Sequence, residues 1–443
     1  MEEIKELLET RQYTSLRQRL SEMNDADVAQ ILEAFDREDL MKMFRILPKD
    51  TMADVFAYLD TEHQQMIISS MSAKDTADII NNMMADDAAD LFEEMPANIV
   101  KKLLAAVDPN VRNDINHLLR YPEDSAGSIM TVEYVDLKEN LTVADALERI
   151  RKVGMDSETL NTCYVLNPSR KLLGVITLRR ILLSPPDALI GDLMHENVIF
   201  VNTTTDQEEV ARVIQKYDLV AVPVVDNEDR LVGIVTVDDI VDILQAEATE
   251  DIEKMAAIVP TDKPYMKTGV FETWKKRIPW LLLLMVSSTF TGLIIGKFED
   301  ALSACVVLTT FIPMLTDTGG NAGGQASVTI IRGISLDEIS FKDLFKVVWK
   351  EMRVAMVCGI TLAVCNFGKL LVVDRVGITI ATVVCLTLVV TVFFSKIIGC
   401  TLPLIVKKLG FDPTVVASPF ITTIVDALSL IIYFTFATSI LHI

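Results

Sequence analysis

Five apolar runs crowd into the C-terminal part of this 443-residue chain, near residues 278–297, 301–331, 352–373, 376–406 and 415–441. A helix needs about 20 residues to cross a hydrocarbon core of ~30 Å, and each run is long enough. Lipid leaves no partner for an unpaired backbone amide, so unbroken apolar runs of this length predict helices, here five over 271–443. Lys275, Lys276 and Arg277 precede the first run. Arg332, Lys342, Lys346 and Lys350 lie between the second and third, and Lys407 and Lys408 precede the fifth. The alternate loops, at Glu299-Asp300 and Asp374-Arg375, carry little positive charge. The excess of positive charge on one side predicts a multi-pass protein of the cell membrane, with its N-terminal half cytoplasmic and its C-terminus outside. The opening residues Met-Glu-Glu-Ile-Lys-Glu have no apolar core, so no cleavable signal is expected.

Inside the last run stands one carboxylate, Asp426, with no basic residue near it in sequence. An ionised acid at that depth costs on the order of 3 kcal/mol on insertion scales, and such groups mark ion pathways. A protonated or helix-paired aspartate that ties the bundle together is the plainer alternative.

Charge divides the chain. Residues 271–443 hold 11 acids and 14 bases, leaving 51 acids and 27 bases in residues 1–270, a net of −24. So acidic a half repels nucleic acid and anionic lipid; it gathers cations and repels itself until they arrive. Of the six cysteines, five (Cys305, Cys358, Cys365, Cys385, Cys400) fall in apolar segments and none forms a Cys-x-x-Cys pair, while the four histidines are scattered. Neither a disulfide framework nor a zinc cluster is expected.

The acidic half subdivides. Over residues 1–122 a loose echo recurs, Asp25-Ala-Asp-Val, Thr51-Met-Ala-Asp-Val, Thr76-Ala-Asp-Ile and Asp87-Ala-Ala-Asp-Leu, each followed by apolar residues at helical spacing. Short helical repeats bury one another's faces and stack into a superhelix, which predicts a scaffold or sensor. Two β-α-β copies follow, at 123–185 and 186–245, each ending in an apolar strand with a Gly and a Thr: Leu172-Leu-Gly-Val-Ile-Thr177 and Leu231-Val-Gly-Ile-Val-Thr236. This closely resembles a tandem CBS pair, a module that often senses adenine nucleotides or ions. The resemblance implies a nucleotide site, ATP among its ligands, at Thr236 and Asp239 of the second copy. The first copy has Thr177-Leu-Arg-Arg180 and lacks the acid. Residues 246–270 form an acidic connecting helix and linker.

Within the second apolar run stands Pro313-Met-Leu-Thr-Asp-Thr-Gly-Gly-Asn-Ala-Gly-Gly-Gln-Ala326, followed by Arg332-Gly333; Phe411-Asp-Pro413 and the Asp426 run complete the pattern. In the order helical domain, CBS pair, acidic connector and five spans, the whole chain resembles the MgtE family of magnesium channels. The resemblance implies a homodimer with the pore on its symmetry axis, importing Mg2+ past Asp426, the carbonyl of Thr422, Asn321, Gly319 and Gly320. It further implies closure when cytoplasmic Mg2+ binds Asp86 and Asp90 of the helical domain, Asp206, Glu208, Asp218 and Asp239 of the second CBS copy, Glu247, Glu250 and Asp251 of the connecting helix, and Asp412 at the membrane edge. The Asp-Asp-Ala-Ala-Asp run offers two registers for the first pair.

The physics fits that class. Mg2+ demands octahedral oxygen coordination near 2.1 Å and sheds water reluctantly, so one carboxylate per subunit with a few carbonyls suffices to pass it. A divalent carrier coupled to Na+ or H+ is the runner-up reading. An intramembrane aspartyl protease using Asp317 and Asp426 is the third, and it lacks the Gly-x-Gly-Asp arrangement such enzymes use. No enzymatic activity is expected.

Overall fold

The computed structural model describes residues 2–261, 265–416 and 418–442. Residues 262–264, part of the expected linker, lie outside the described residues. The chain forms two compact units, Met1–Leu244 and Gln245–Ile443.

The first unit begins with a series of short helices, from Glu2–Glu9 to Pro109–Leu118, none longer than ten residues. Five of them start at a polar residue whose side chain accepts from a first-turn amide, Asn24, Asp36, Asp60, Ser72 and Asp108, while the helices at Lys49 and Ala97 start after Pro48 and Pro96. The echoed segments open the helices Asp25–Glu33, Lys49–Ala57, Ala73–Ile80 and Ala85–Glu93. These pack on their next-but-one neighbours. Asp25–Glu33 meets Lys49–Ala57, which meets Ala73–Ile80, which meets Ala97–Leu104; Tyr13–Ser21, Arg37–Ile46 and Thr61–Ser70 make a second row. Between the rows Leu16, Leu32, Leu40, Met43, Phe44, Phe56, Ile67 and Ile80 are fully buried.

Two three-stranded sheets follow. In the first, Tyr134–Lys138 runs parallel to Thr159–Leu166, which is antiparallel to Leu172–Thr177. The second repeats this with Val201–Asn202, Ala221–Val225 and Leu231–Thr236. The repeated glycine has a physical cause. A Cβ on Gly174 would sit 2.7 Å from Met194 Sδ and 2.9 Å from the His195 carbonyl. One on Gly233 would sit 2.6 Å from Met130 Sδ and 2.7 Å from the Thr131 carbonyl. In each copy a crossing segment lies flat on the strand where only glycine leaves room. The helix after the second sheet, Val237–Met255, passes 245 without a break, so the connecting helix is an extension of the last CBS helix.

The second unit is helical. Among the described residues, four of its helices are long and apolar enough to cross a membrane: Val270–Lys297, Phe341–Val372, Ile378–Lys408 and Pro419–Leu441. The run expected from 301 departs from this pattern. It is a short helix, Glu299–Ala304, then an extended Cys305 and a 3-10 turn, Val306–Phe311, and the long helix starts only at Ile312. Pro313, in the first turn, suits a helix start because its missing amide has no intrahelical partner there. This helix, Ile312–Ser335, is 24 residues long, and its glycines, Asp317, Asn321 and Gln325 lower its hydropathy.

The glycine helix packs between Ile378–Lys408 and Ser418–Leu441. The Gly323 carbonyl lies directly against Gly399, and a Cβ on Gly323 would sit 2.8 Å from Ile421 Cγ2. Small residues spaced by four on facing helices allow this backbone approach, which in lipid supplies much of the packing energy. A buried ion pair crosses the bundle, with Lys396 Nζ 3.6 Å from Glu351 Oε2 and side chains 7% and 12% exposed.

Candidate metal sites

Asp426 lies in the third turn of the last helix, half-buried. Asp317 of the glycine helix is close enough for the two carboxylates to repel. The sequence reading gave Asp317 a role only in the protease alternative, yet it is Asp426's acidic neighbour. On the glycine helix Asp317, Asn321, Gln325 and Thr329, four residues apart, are all exposed and form one polar stripe. Gly319 and Gly320 face inward instead. A Cβ on Gly319 would sit 2.7 Å from Thr391 Cγ2, and one on Gly320 2.9 Å from Thr422 Cγ2, so both positions are packing contacts. The Thr422 hydroxyl donates to the Pro419 carbonyl at 2.9 Å. Its own carbonyl lies in an unbroken helix, where it accepts the usual bond and keeps one lone pair.

The second site lies in the first unit, between its helical domain and the second sheet domain. On the helix Ala85–Glu93, Ala85 and Ala89 pack with Met130, Val210, Ala211, Ile214 and Ile240 against the second sheet domain. That packing turns Asp86, Asp87 and Asp90 towards Glu133, Glu158, Asp238 and Asp239. Both registers of the Asp-Asp-Ala-Ala-Asp run therefore reach the cluster. Asp87 and Asp90 are exposed at the surface, yet the protein packed around their carboxylates still penalises charge. Burial first, then mutual repulsion, pushes Asp87 up to about 6 and Asp90 to about 7, and raises Asp86 well above the usual range. Glu158, which sequence reasoning missed, is raised to about 7 by the same causes. Its place follows from the sheet edge, where its amide donates to the Glu133 carbonyl at 2.9 Å. Asp239 is raised by burial, against the pull of the Thr236 hydroxyl, which donates to it at 2.6 Å. Carboxylates on which burial first and mutual repulsion second both disfavour charge form a donor set suited to a hard dication.

The other expected ligands lie elsewhere. Asp206 caps the helix Gln207–Tyr217 by accepting from the Glu208 amide at 2.9 Å, Glu208 pairs with Arg212 at 2.7 Å, and Asp218 ends that helix in a left-handed turn with φ 51°. All three are accounted for by that helix. On the connecting helix, Glu247, Glu250 and Asp251 are partly buried. Glu250 bonds Lys254 at 2.6 Å, and Lys254 bonds Asp412 at 3.0 Å. A lysine thus stands where the sequence reading expected a shared cation. Burial works against both charges, but the carboxylates hold the Lys254 ammonium above its ordinary value. Thr414 and Lys254 in turn hold Asp412 below its own.

A family model described as a divalent cation transporter, MgtE, matches residues 312–436; the MgtE intracellular N domain matches 23–124, and CBS domains match 126–186 and 190–246. The chain is similar to the magnesium transporter MgtE of Thermus thermophilus, 38% identical over 77% of this chain and 76% of that protein. It is similar to that of Bacillus subtilis, 37% identical over 76% and 74%. Among solved structures, the soluble part of a magnesium transporter covers 55% of this chain and 96% of its own, with a TM-score of 0.53 and 33% identity. The cytosolic domain of the Mg2+ channel MgtE in complex with ATP covers 54% and 98%, with a TM-score of 0.52 and 35% identity. With its N domain, its CBS pair and a helical membrane region carrying Asp426, the chain belongs to the MgtE family of divalent cation transporters.

Proposed function

We propose that this protein is a Mg2+ channel of the cell membrane that imports the ion past Asp426 and closes when cytoplasmic Mg2+ binds its acidic N and CBS domains. The observation that carries the pore reading is Asp426 itself, half-buried in an apolar helix beside Asp317. The polar stripe of Asp317, Asn321 and Gln325 supports it, because such a stripe is costly against lipid and suits a water-filled path. In this reading Ile312–Ser335 is a fifth span, the N-terminal domains are cytoplasmic and the C-terminus is outside. Two copies of the stripe face each other across a homodimer axis.

Closure follows from charge. Asp86, Asp87, Asp90, Glu158 and Asp239 repel one another, and a dication turns that repulsion into a bridge. A structure of an MgtE cytosolic domain holds ATP. ATP binding at Thr236 and Asp239 here would have to share a carboxylate that already accepts from Thr236.

The decisive experiment is growth rescue of a Mg2+-starved, transport-deficient host. Asp426→Ala and Asp426→Asn should both be present in the membrane and both fail to rescue; full rescue by Asp426→Ala sinks the pore assignment. A proton-coupled carrier is the second reading, favoured by the buried Glu351–Lys396 pair. It predicts Mg2+ uptake into vesicles that collapses with the pH gradient, where a channel responds to membrane voltage.

A further inference from the structure

Glu33, Asp60 and His63 converge from two helices of the N-terminal domain, and one donor atom from each lies within 4.8 Å of the others. Glu33 is the last residue of Asp25–Glu33, Asp60 is the N-cap of Thr61–Ser70, and His63 is in the first turn of that helix. Backbone hydrogen bonds hold the group in place. The Asp60 amide donates to Glu33 Oε1 at 2.9 Å, and the His63 amide donates to Asp60 Oδ1 at 2.9 Å. The His63 Nδ1 lies 2.7 Å from that same oxygen, with side chains 14% and 29% exposed for His63 and Asp60.

Helix capping explains Asp60 and the His63 amide, the Asp60 amide holds Glu33, and the His63 ring is hydrogen-bonded to Asp60 at 2.7 Å. The result is that two carboxylates and an imidazole from two helices offer their donor atoms within 4.8 Å of one another. Opening the 2.7 Å hydrogen bond to roughly 3 Å would give the spacing of adjacent ligands on a metal bonded at about 2.1 Å. Two carboxylates with an imidazole are not a set that Mg2+ selects, because Mg2+ prefers oxygen alone. Imidazole suits zinc, cobalt and nickel, and mixed nitrogen and oxygen donors bind such ions far more tightly than Mg2+.

We propose that Glu33, Asp60 and His63 form a transition-dication site of the zinc class, separate from the acids around Asp239. The ion would take the Nδ1 lone pair of the neutral His63 imidazole, whose single proton would then sit on Nε2, and would clamp Asp25–Glu33 to Thr61–Ser70. The three side chains are already positioned by the backbone, so little ordering remains to be done on binding.

The test uses the full-length protein in detergent, with Mg2+ in excess to fill its oxygen sites, titrated with Zn2+ against a chromophoric chelator. The wild type should bind one more Zn2+ per chain than His63→Ala, and Zn2+ should raise the melting temperature of the wild type alone. Glu33→Gln keeps an acceptor for the Asp60 amide and removes the charge, so it should stay folded and bind Zn2+ at least tenfold more weakly. Equal Zn2+ stoichiometry in wild type and His63→Ala overturns the proposal. So does a Glu33→Gln protein with unchanged affinity, which would leave a capping network and nothing more.

Discussion

Lys254 stands between two carboxylates, 2.6 Å from Glu250 on its own helix and 3.0 Å from Asp412, 158 residues further along the chain. Its ammonium does locally what a bound cation would do, since it neutralises two acids that otherwise repel. Lys254→Met should therefore make closure more dependent on Mg2+, with the inhibition curve shifted a few-fold to higher concentration. The pair is about a third exposed, so its worth is about 1 kcal/mol or less and the shift should not exceed roughly fivefold. Glu250→Ala with Asp251→Ala should also leave channels open at Mg2+ levels that silence the wild type. Patch recording with stepped cytoplasmic Mg2+ reads both; unshifted curves in both variants would remove the coupling role of this helix.

The acid cluster makes the N–CBS arrangement sensitive to pH. Asp87, Asp90 and Glu158 have folded values of about 6, 7 and 7, against ordinary values of 3.8, 3.8 and 4.5. Raised carboxylates mean that the folded state binds more protons. Their contribution to stability is full below about pH 4 and is lost as pH rises through about 7. In chelator, the melting transition of the N and CBS domains should fall between about pH 4 and pH 7, and Mg2+ in excess should flatten that fall. A transition that is independent of pH in chelator would contradict this account.

Lys396 and Glu351 are worth little as a pair and much when separated. Lys396→Met leaves a buried carboxylate without its counter-charge, at about 3–5 kcal/mol. Glu351→Gln should be comparably damaging, and the double variant Glu351→Gln/Lys396→Met should recover most of the loss. Thermal melting in detergent measures all three. A double variant as unstable as the sum of the singles would show that the two side chains act independently.

Packing at the glycine helix predicts a sharp positional contrast. Gly399→Ala drives a methyl into the Gly323 carbonyl, and backbone cannot swing away as a flexible side chain can. The variant should lose monodispersity in size-exclusion chromatography or melt several degrees lower. Gly296→Ala and Gly368→Ala place a methyl in open space, with nothing within 4 Å, and should behave as wild type. Equal behaviour of all three would mean that the close approach at Gly399 is not needed.

Much of this protein was readable from its residues, and the reason is that those signals are local. Bilayer thickness sets the length of an apolar helix, so the runs near 278–297 and 376–406 announce themselves within their own windows. The glycine before each terminal Thr, Gly174 and Gly233, marks a strand that another segment must cross closely, so the doubled domain shows in a six-residue motif. The start of the glycine helix at Ile312 was less legible, because hydropathy does not register the break at Cys305.

The pairings belong to the tertiary structure. Lys396 with Glu351, Lys254 with Asp412, Asp317 beside Asp426, and Glu158 with Asp87 join residues between 45 and 158 positions apart. Nothing in the local pattern around Lys396 says which acid it meets, and only the packing of Ala85 and Ala89 against their neighbours shows that Asp86, Asp87 and Asp90 all reach the same cluster. A sequence determines which side chains are too costly to leave in lipid or to crowd together. The packed backbone determines which partner relieves each cost, because that depends on distances of 3–4 Å that only the folded chain sets.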